Sequence, residues 1–406
     1  MSDAQFMRLA LRLARRGYGT TSPNPMVGAV LVKGRKIIGR GWHRRAGLPQ
    51  AEIEALRDAQ KRGHHPKGAA LYVTLEPCCT HGRTPPCTEA VIAAGIRRVV
   101  AGAVDPNPKH AGKGFKVLRR AGIEVVSLGK GRARHSVRAA DSKPKRRARS
   151  VVPYLQLVDE CTKLNEAFNH WIVHRTPFVT VKAAMTLDGK IATARGESQW
   201  ITGERARAHG MKLRQGSDAI LVGINTILAD DPSLTFRKQK TENKKQKTKQ
   251  LRRVVLDSLA RTPLTAKVVS NEFAAFTTIV VSERAPKTRV AALAGRVNII
   301  VVPTTKRSSP VTRHPSLDPR WLLHKLGSEA VTSLLVEGGG EVNASFLLGG
   351  FAQRVAFFYA PKILGGRDSR KGVAGDGVKK LSEVIQLRDV EWRKLGEDLL
   401  LTARVE

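Results

Sequence analysis

The sequence predicts an α/β protein of two domains joined by a helix, and three observations lead to this class. The 406 residues are enough for two hydrophobic cores. The hydrophobic content of 41% is ordinary for a globular chain. Through both halves, short apolar runs typical of buried strands alternate with segments of helical spacing, which is the pattern of layered α/β domains.

The first domain is predicted from the N-terminal alternation. Phe6, Leu9 and Leu13 follow helical spacing and predict a helix near residues 3–17, and a buried strand follows at once. We therefore expect this basic N-terminus to belong to the domain and not to be a targeting peptide. The predicted strands cover 26–33, 36–41, 69–75, 97–105 and 123–128, and the predicted helices begin near Ala51 and cover 87–95 and 112–122.

A second alternation fills the C-terminal half. An amphipathic segment over 154–175 predicts the connecting helix, and "PFVTVKAAM" starts the new alternation. The strands predicted there cover 219–223, 252–257, 277–282, 297–303 and 333–340. The predicted domains are therefore 1–129 and 176–406, separated by a basic linker over 130–153 and the connecting helix, with a basic insertion over 238–250.

The net charge of +37 is concentrated in two stretches. Residues 130–149 and 237–253 each carry a net charge of +8, so they hold 16 of the 37 charges. Neither has apolar periodicity or an aromatic residue for base stacking, which favours solvated segments over a nucleic-acid site. Binding of a polyanion stays open as an alternative function. No apolar run approaches the ~20 residues of a membrane span, so no membrane partner is expected.

The cysteines indicate a metal site. Of four, three lie within ten residues of each other, which favours metal binding in a reducing compartment such as the cytoplasm. Zinc deaminases carry His-x-Glu at a helix start, then Pro-Cys and a further Cys, and this chain has Glu52, Cys78 and Cys87 in that order. Zinc lowers the pKa of a bound water to about 7, and a nearby carboxylate shuttles protons. The alternative is two buried thiols beside a surface glutamate.

A glycine turn indicates a possible cofactor site in the second half. The stretch "LLVEGGGEVNASFLL" predicts a strand, a turn and a helix, so backbone N–H groups at a helix start are placed to receive a pyrophosphate. The turn is not the G-x-G-x-x-G of a Rossmann site and is a weak signal alone. Upstream, Thr202 is predicted to cap the N-terminus of a helix.

The motifs taken together resemble one family. "PNPMVGAVLV", "AEIEAL", "TLEPC" and "HGRTPPC" in the first half, with "KAAMTLDGKIA", "DAILVGINTILADDPSLT", "VEGGG" and "APKILGG" in the second, are similar to the bifunctional riboflavin-biosynthesis deaminase/reductases of the RibD type. The resemblance covers nearly the whole chain apart from the basic stretches. It implies a cytidine-deaminase-like three-layer domain followed by a dihydrofolate-reductase-like domain, with Zn²⁺ and NADPH as cofactors and a homo-oligomer formed through the reductase domain.

The resemblance also implies roles for individual residues. Glu52 and Asp230 would be catalytic, and Cys78 and Cys87 would bind the metal with residue 50. The residues implied to contact the phosphorylated pyrimidine substrate are Asn24, His43, Arg83, Asp105, Asn107, Lys182, Ser198, Trp200, Arg214, Leu234, Arg237 and Glu337. The residues implied to contact the cofactor are Thr202, Asn225, Thr226, Ser258, Gly338, Gly339 and Gly340. Among the substrate contacts, Arg83 would face the phosphate in the first domain, and Arg214 and Arg237 would clamp it in the second.

The chain departs from the family at residue 50, where a glutamine replaces the usual histidine. An amide oxygen is a weaker zinc donor than imidazole, because zinc prefers nitrogen and sulfur ligands. One expectation is therefore a weakened deaminase site, and an alternative is a protein with reductase activity only. A third is replacement by another imidazole, for which the candidates are His81, His43, His64 and His65.

Overall fold

The computed structural model divides the chain into two compact units, Met1–His174 (unit 1) and Arg175–Glu406 (unit 2). It describes residues 2–81, 85–128, 145–236, 250–303 and 317–406, with the backbone alone for 145–153. Most of the predicted basic linker and basic insertion therefore lies outside the described residues. Within those ranges, no helix has the length and apolar character needed to cross a membrane.

Unit 1 is a five-stranded sheet with helices packed on it. Its elements are α1 (Asp3–Ala14), β1 (Gly28–Lys33), β2 (Lys36–Trp42), α2 (Ala51–Lys61), β3 (Ala70–Leu75), α3 (Cys87–Ala93), β4 (Arg98–Ala103), α4 (Lys113–Arg120), β5 (Glu124–Ser127), α5 (Lys145–Leu164) and α6 (Glu166–His174). The strand order is β2-β1-β3-β4-β5. β1 is antiparallel to β2 and β3, whereas β3, β4 and β5 run parallel. The predicted strands and helices of this half agree with these elements within a few residues.

Close packing of α2 on β2 fixes where the helix begins. A Cβ atom at Gly41 would lie 2.2 Å from the carbonyl oxygen of Ala51, so only a glycine allows this approach. The first turn of α2 is thereby held against the sheet, with Gln50 as its N-cap residue. The sequence thus fixes the position of the helix start that carries Gln50 and Glu52.

The connecting segment differs from the single helix predicted over 154–175. The structure has two helices, α5 and α6, and both belong to unit 1. The break falls at Asn165, whose side chain accepts a hydrogen bond from the Met26 N–H at 2.7 Å and donates one to the Met26 oxygen at 2.9 Å. These two bonds anchor the α5–α6 corner to the chain before β1. α5 also begins at Lys145, inside the segment predicted as basic linker.

Unit 2 is built on a nine-stranded sheet. Its elements are β6 (Phe178–Thr186), β7 (Lys190–Ala192), α7 (Glu204–Gly216), β8 (Ala219–Gly223), α8 (Ile224–Asp230), β9 (Arg252–Leu256), α9 (Lys267–Ser270), β10 (Thr277–Ser282), α10 (Lys287–Ala294), β11 (Asn298–Val302), α11 (Pro319–Ser328), β12 (Ser333–Val336), α12 (Gly340–Leu348), β13 (Arg354–Ala360), β14 (Arg370–Lys371), β15 (Leu387–Leu395) and β16 (Asp398–Val405). The order is β11-β10-β9-β8-β12-β6-β13-β16-β15, and β7 pairs separately with β14.

The parallel strands of unit 2 bring several connecting segments together at one edge of its sheet. The seven strands from β11 to β13 in the sheet order are parallel, and β16 and β15 complete the sheet in antiparallel fashion. The carboxyl ends of neighbouring parallel strands lie together, which is where open α/β sheets bind ligands. The segments that follow β8, β9 and β12 therefore meet at this edge.

Candidate active sites

Unit 1 contains a cavity of about 290 Å³ at the start of α2. Its walls come from the chain before β1, the end of β3, the segment after β4, and α6. The lining residues are Pro23, Asn24, Pro25, Val27, His43, Gln50, Glu52, Leu75, Glu76, Cys78, Asp105, Asn107, His110, Phe168, Trp171 and Ile172. The cavity therefore brings together Asn24, His43, Asp105 and Asn107 with Gln50 and Cys78 of the predicted metal site, and Cys87 lies behind them.

Two thiols and the Gln50 amide converge at one side of this cavity. Gln50 Oε1 lies 3.3 Å from the Sγ atom of Cys87 and 3.7 Å from that of Cys78. The Cys87 N–H also donates to Cys78 Sγ at 3.3 Å. A hydrogen bond from the Cys87 thiol lowers the pKa of Cys78, and the same bond together with burial raises the pKa of Cys87. Both sulfurs thus lie within hydrogen-bond reach of the Gln50 amide oxygen.

The donor atoms fit a zinc ion. Zinc–sulfur bonds near 2.3 Å and zinc–oxygen bonds near 2.1 Å give a tetrahedral sulfur–oxygen edge of about 3.6 Å. The two observed sulfur–oxygen distances, 3.3 and 3.7 Å, bracket that value. A cluster of three or more His, Cys, Asp or Glu side chains able to hold a metal is absent from the described residues. The group nearest to both sulfurs is the Gln50 amide oxygen.

Glu52 lies beside the thiols and is almost completely buried, with 2% of its surface exposed. Burial raises the pKa of its carboxyl group, and the backbone and the Cys87 thiol oppose this only in part. Its Oε2 atom has no hydrogen-bond partner in the parts of the chain that the structure describes. A buried carboxyl group with an unused oxygen facing a cavity is suited to take up and release a proton.

His43 and Asn24 form a fixed pair in the cavity wall. His43 Nδ1 lies 3.1 Å from the Pro49 carbonyl oxygen, and its Nε2 lies 3.2 Å from Asn24 Nδ2. Burial lowers the pKa of His43, although the bond to Pro49 acts in the opposite direction. The neutral ring then donates from Nδ1 and accepts at Nε2. His43 is therefore oriented by both of its nitrogens and is not available as a metal ligand.

The other candidate histidines also lie away from the thiols or outside the cavity. His81 is exposed, and His65 is exposed as well. His64 and His65 follow the far end of α2, whose eleven residues span roughly 16 Å. Replacement of the missing imidazole by one of the predicted candidates is therefore not supported by the geometry.

The sequence analysis missed Glu76, which organises one wall of the cavity. Its carboxylate accepts hydrogen bonds from the N–H groups of Asp105 at 3.2 Å, Gly112 at 2.9 Å and Phe115 at 3.3 Å. These bonds hold the segment between β4 and α4, which carries Asp105 and Asn107. Its place in "TLEPC", two residues before Cys78, was the available signal. Burial raises the pKa of Asp105 in this segment.

A second group missed by the sequence analysis is the apolar wall from α6. Phe168, Trp171 and Ile172 line the cavity, although the sequence suggested only a connecting helix. Their spacing of three to four residues was typical of a helix face, and nothing in the pattern told which surface that face would cover. The anchor at Asn165 is what turns this face toward the cavity wall.

In unit 2, a buried charge cluster follows β12. Glu337 accepts two hydrogen bonds from Arg214, from Nε at 2.8 Å and from Nη2 at 2.9 Å, and Lys182 Nζ lies 3.6 Å from its Oε2. Burial by itself raises the pKa of Glu337, but the charges of Arg214 and Lys182 outweigh it and bring the pKa to about 2. Arg214 was predicted to bind a phosphate, whereas in the structure its guanidinium group is hydrogen-bonded to Glu337.

The remaining predicted substrate contacts are more exposed. Ser198 Oγ donates to Asp230 Oδ1 at 3.1 Å, at the end of α8. The Arg207 guanidinium lies over the exposed Trp200 ring, 4.7 Å from its centroid. Leu234 differs from the others, because its side chain is buried in the hydrophobic core of unit 2 and only its backbone remains for a ligand. Asp230 and Ser198 therefore form one polar pair at the surface.

The predicted cofactor residues lie largely at the carboxyl edge of the sheet. Asn225 and Thr226 begin α8 after β8, Ser258 follows β9, and the glycine turn follows β12. At this turn, a Cβ on Gly338 would lie 2.5 Å from Val342, whereas no atom lies within 4 Å of a Cβ built on Gly339. The turn thus has open space at Gly339. Thr202 is not the N-cap of α7 as predicted, because Gly203 occupies that position, one residue later.

Two predicted phosphate contacts, Arg83 and Arg237, lie outside the described residues. The roles of the other residues stay predictions, since geometry alone shows proximity and not function.

Comparison with known proteins gives matches over both units. Residues 177–401 match the family described as the RibD C-terminal domain, and residues 1–103 match the zinc-binding region of cytidine and deoxycytidylate deaminases. The chain is 39% identical over 402 residues to the riboflavin biosynthesis protein RibD of Actinobacillus pleuropneumoniae, which covers 99% of this chain and 95% of that protein. It is 37% identical over 409 residues to the protein of the same name from Escherichia coli strain K12, covering 99% of each.

Two solved structures agree with the architecture over the full length. Acinetobacter baumannii RibD, form 1, has a TM-score of 0.80 at 33% identity and covers 100% of this chain and 99% of that chain. The diaminohydroxyphosphoribosylaminopyrimidine deaminase/5-amino-6-(5-phosphoribosylamino)uracil reductase of Thermotoga maritima has a TM-score of 0.76 at 33% identity, with the same coverage. Together with the family matches, these likenesses confirm the predicted fold class, a cytidine-deaminase-like domain followed by a dihydrofolate-reductase-like domain.

Proposed function

Because the chain belongs to the RibD family of bifunctional riboflavin-biosynthesis deaminase/reductases, we propose that it catalyses two consecutive steps on one phosphorylated pyrimidine. Unit 1 hydrolyses the 2-amino group of 2,5-diamino-6-ribosylamino-4(3H)-pyrimidinone 5′-phosphate to a carbonyl and releases ammonia. Unit 2 then reduces the ribose of that product to ribityl with NADPH, giving 5-amino-6-ribitylaminouracil 5′-phosphate.

In the deaminase step, Glu52 moves protons between the attacking water and the leaving amine. Its buried position and its unused Oε2 support this role, since a raised pKa lets the carboxyl group hold a proton at the right moment. Cys78 and Cys87 would hold zinc, which when bound supplies the Lewis acidity that makes water nucleophilic at neutral pH. Asn24 and the neutral His43 orient the pyrimidine, and Glu76 positions the wall that carries Asp105 and Asn107.

In the reductase step, the chain positions the ribose and the cofactor at the carboxyl edge of the sheet. NADPH, when bound, supplies the hydride for the ribose C1 in its open imine form. The open space at Gly339, the N-cap of α12, and the residues after β8 and β9 would receive its phosphates and sugars, because a helix start binds anions through its free N–H groups. Glu337 holds Lys182 and Arg214 toward the substrate, while Asp230 and Ser198 bind the sugar and direct the proton that accompanies reduction.

The observation that carries this proposal is that Gln50, Glu52 and Cys78 line one cavity while the buried Cys87 thiol lies against Gln50 behind them. The test supplies zinc, the diamino substrate and NADPH to the full-length protein and measures ammonia release and NADPH oxidation separately. Asp230→Asn is expected to abolish NADPH oxidation while ammonia release continues. Undiminished reduction by Asp230→Asn would remove that residue from the mechanism.

The exposed edge strand β15 supports association through the reductase unit. Eight of its nine residues are exposed, and Trp392 is 60% exposed. A long exposed strand with apolar side chains is a surface that another copy covers readily. We expect the native chain to sediment as an oligomer and Trp392→Lys to shift it to the monomer. Trp321→Lys, at an exposed tryptophan on α11, is the matched control and should leave the oligomer intact. Equal sedimentation of both variants would contradict this interface.

All four cysteines are free, which supports a reducing compartment such as the cytoplasm as the place of action.

A further inference from the structure

We propose that Gln50 is a metal ligand through its amide oxygen, so that this chain holds zinc with two thiolates and one carbonyl oxygen in place of two thiolates and an imidazole. The inference rests on the proposed deaminase function, because the metal belongs to that site. From the sequence pattern alone, Gln50 is only the loss of the usual histidine ligand. Its consequence is an ion that binds more weakly and exchanges more readily than one held by imidazole.

The Gln50 side chain is directed at the metal position and is not engaged in capping. Gln50 is the N-cap residue of α2, yet its side chain makes no hydrogen bond to the helix backbone. Its Oε1 atom instead lies within 3.7 Å of both thiol sulfurs. The observed direction therefore indicates a partner at the thiols.

The surroundings leave the amide as the third donor. Both ring nitrogens of His43 are occupied, by Pro49 and by Asn24. His110, which also lines the cavity, contacts Cys79 Sγ at 3.8 Å and Thr80 Oγ1 at 3.4 Å. His81 is exposed. Glu52 lies close enough to bind, but the proton transfer requires its carboxyl group to stay off the metal.

Two thiolates with an amide oxygen differ from two thiolates with an imidazole in the softness of the third donor and not in total charge. Glutamine and neutral histidine are both uncharged, so the charge of the site with two thiolates is the same in either case. An amide oxygen is a harder and weaker donor than imidazole. Changes to groups around a metal alter affinity by about 10–100-fold, and exchange of a direct ligand should reach at least that range. The N-terminal dipoles of α2 and α3 stabilise the thiolates in both cases.

The test measures metal binding on the full-length protein, apart from any activity. Zinc affinity is determined by competition with a chelator for the native chain and for Gln50→His, Gln50→Glu and Gln50→Leu. Relative to the native chain, Gln50→His is expected to bind at least about 10-fold more tightly. Gln50→Glu, which keeps an oxygen at the same reach, should bind at least as tightly, and Gln50→Leu more weakly. His81→Ala is the control and should equal the native chain.

A structural readout accompanies the titration. X-ray absorption at the zinc edge of the native chain should show two sulfur ligands with oxygen ligands and no scattering from an imidazole ring. The imidazole contribution should appear in Gln50→His. The reductase rate of unit 2 and far-ultraviolet circular dichroism verify that each variant is folded.

Three outcomes would overturn the inference. The first is equal zinc affinity of Gln50→Leu and the native chain, with both folded. The second is imidazole scattering in the native chain, with loss of zinc in His81→Ala. The third is a native chain that binds no zinc while Gln50→His does. Failure of the proposed function is distinguished by another result, namely absence of ammonia release from the zinc-loaded Gln50→His variant, whatever its metal ligands.

Discussion

The two units each contain one buried glutamate at the centre of the candidate site, and the two carboxyl groups behave in opposite ways. Glu52 in unit 1 has an oxygen without a partner among the described residues, and burial raises its pKa. Glu337 in unit 2 is less enclosed, with 11% of its side chain exposed, and Arg214 and Lys182 hold its pKa at about 2. Burial is therefore common to both, and the neighbouring charges decide the protonation state.

The two carboxyl groups are therefore suited to different roles, one to proton transfer and the other to holding cations in place. A carboxyl group that can gain and lose a proton serves catalysis, as Glu52 is proposed to do. A carboxylate that stays ionised beside two cations holds those cations in place. Glu337 therefore fixes Arg214 and Lys182 beside each other, and under the proposed function these two cations face the anionic substrate. Three predictions test this contrast between the two glutamates, and a fourth tests the cofactor site of unit 2. They follow in order of decreasing effect.

The largest effect is expected from Glu52→Gln, which removes the proton carrier and keeps the shape. Deaminase turnover should fall by about 10²–10⁴-fold, the range typical of a lost general acid–base group. NADPH oxidation on the deaminated substrate should not change. Glu54→Gln, two residues along α2 at a more exposed carboxyl group, is the matched control and should leave both rates near native. Retention of full deaminase turnover by Glu52→Gln would remove the contrast between the two glutamates.

Glu337→Gln should damage unit 2 through stability as well as turnover. It leaves the buried Arg214 charge without its carboxylate, and breaking a buried pair costs about 3–5 kcal/mol. Glu329→Gln breaks the more exposed pair with Arg252 and should cost less than about 1 kcal/mol. Hydrogen exchange of β12 and α7 peptides measures both costs within unit 2. Similar costs for the two variants would show that the Glu337 cluster is not a special buried network.

The stability of unit 2 should fall at acidic pH, because the pKa of Glu337 is lowered in the folded state. Glu337 ionises at about 2 in the folded state against an ordinary value of 4.5. Its stabilising contribution is therefore complete above pH 4.5 and is lost as the pH falls from 4.5 to 2. At neutral pH it amounts to about 3 kcal/mol. The free energy of unfolding of Glu337→Gln should vary less steeply than that of the native chain in this window. Equal slopes would contradict the assigned pKa.

The smallest effect is expected at the glycine turn, where the reductase site is open. Gly339→Ala adds a methyl group to free space, so stability should stay native while the KM for NADPH rises several-fold. Gly338→Ala is the matched control, because its Cβ would lie 2.5 Å from Val342. That variant should lose stability. Thermal unfolding together with NADPH titration checks both, and an unchanged KM in Gly339→Ala would place the cofactor elsewhere.

Much of the fold was predictable from the sequence, because its elements have strong local signals. The helix start at Ala51 and the strand over 219–223 agree with α2 and β8 at their first residues. The connecting helix was harder, since the break at Asn165 depends on hydrogen bonds to Met26, which is distant in sequence. The basic linker and insertion lie mostly outside the described residues, so their assignment as solvated segments stays a prediction.

The sequence by itself determined the family, the two α/β units and the residue types available to each site, because motif order and periodicity are local properties of the chain. Only the tertiary structure decided how those residues pair. It places the Gln50 oxygen against both thiols, occupies both nitrogens of His43, and engages Arg214 with Glu337. The physical reason is that burial and neighbouring charges set the pKa of a side chain and the hydrogen bonds still open to it. Both arise from segments that are distant in sequence and meet only when the sheets form.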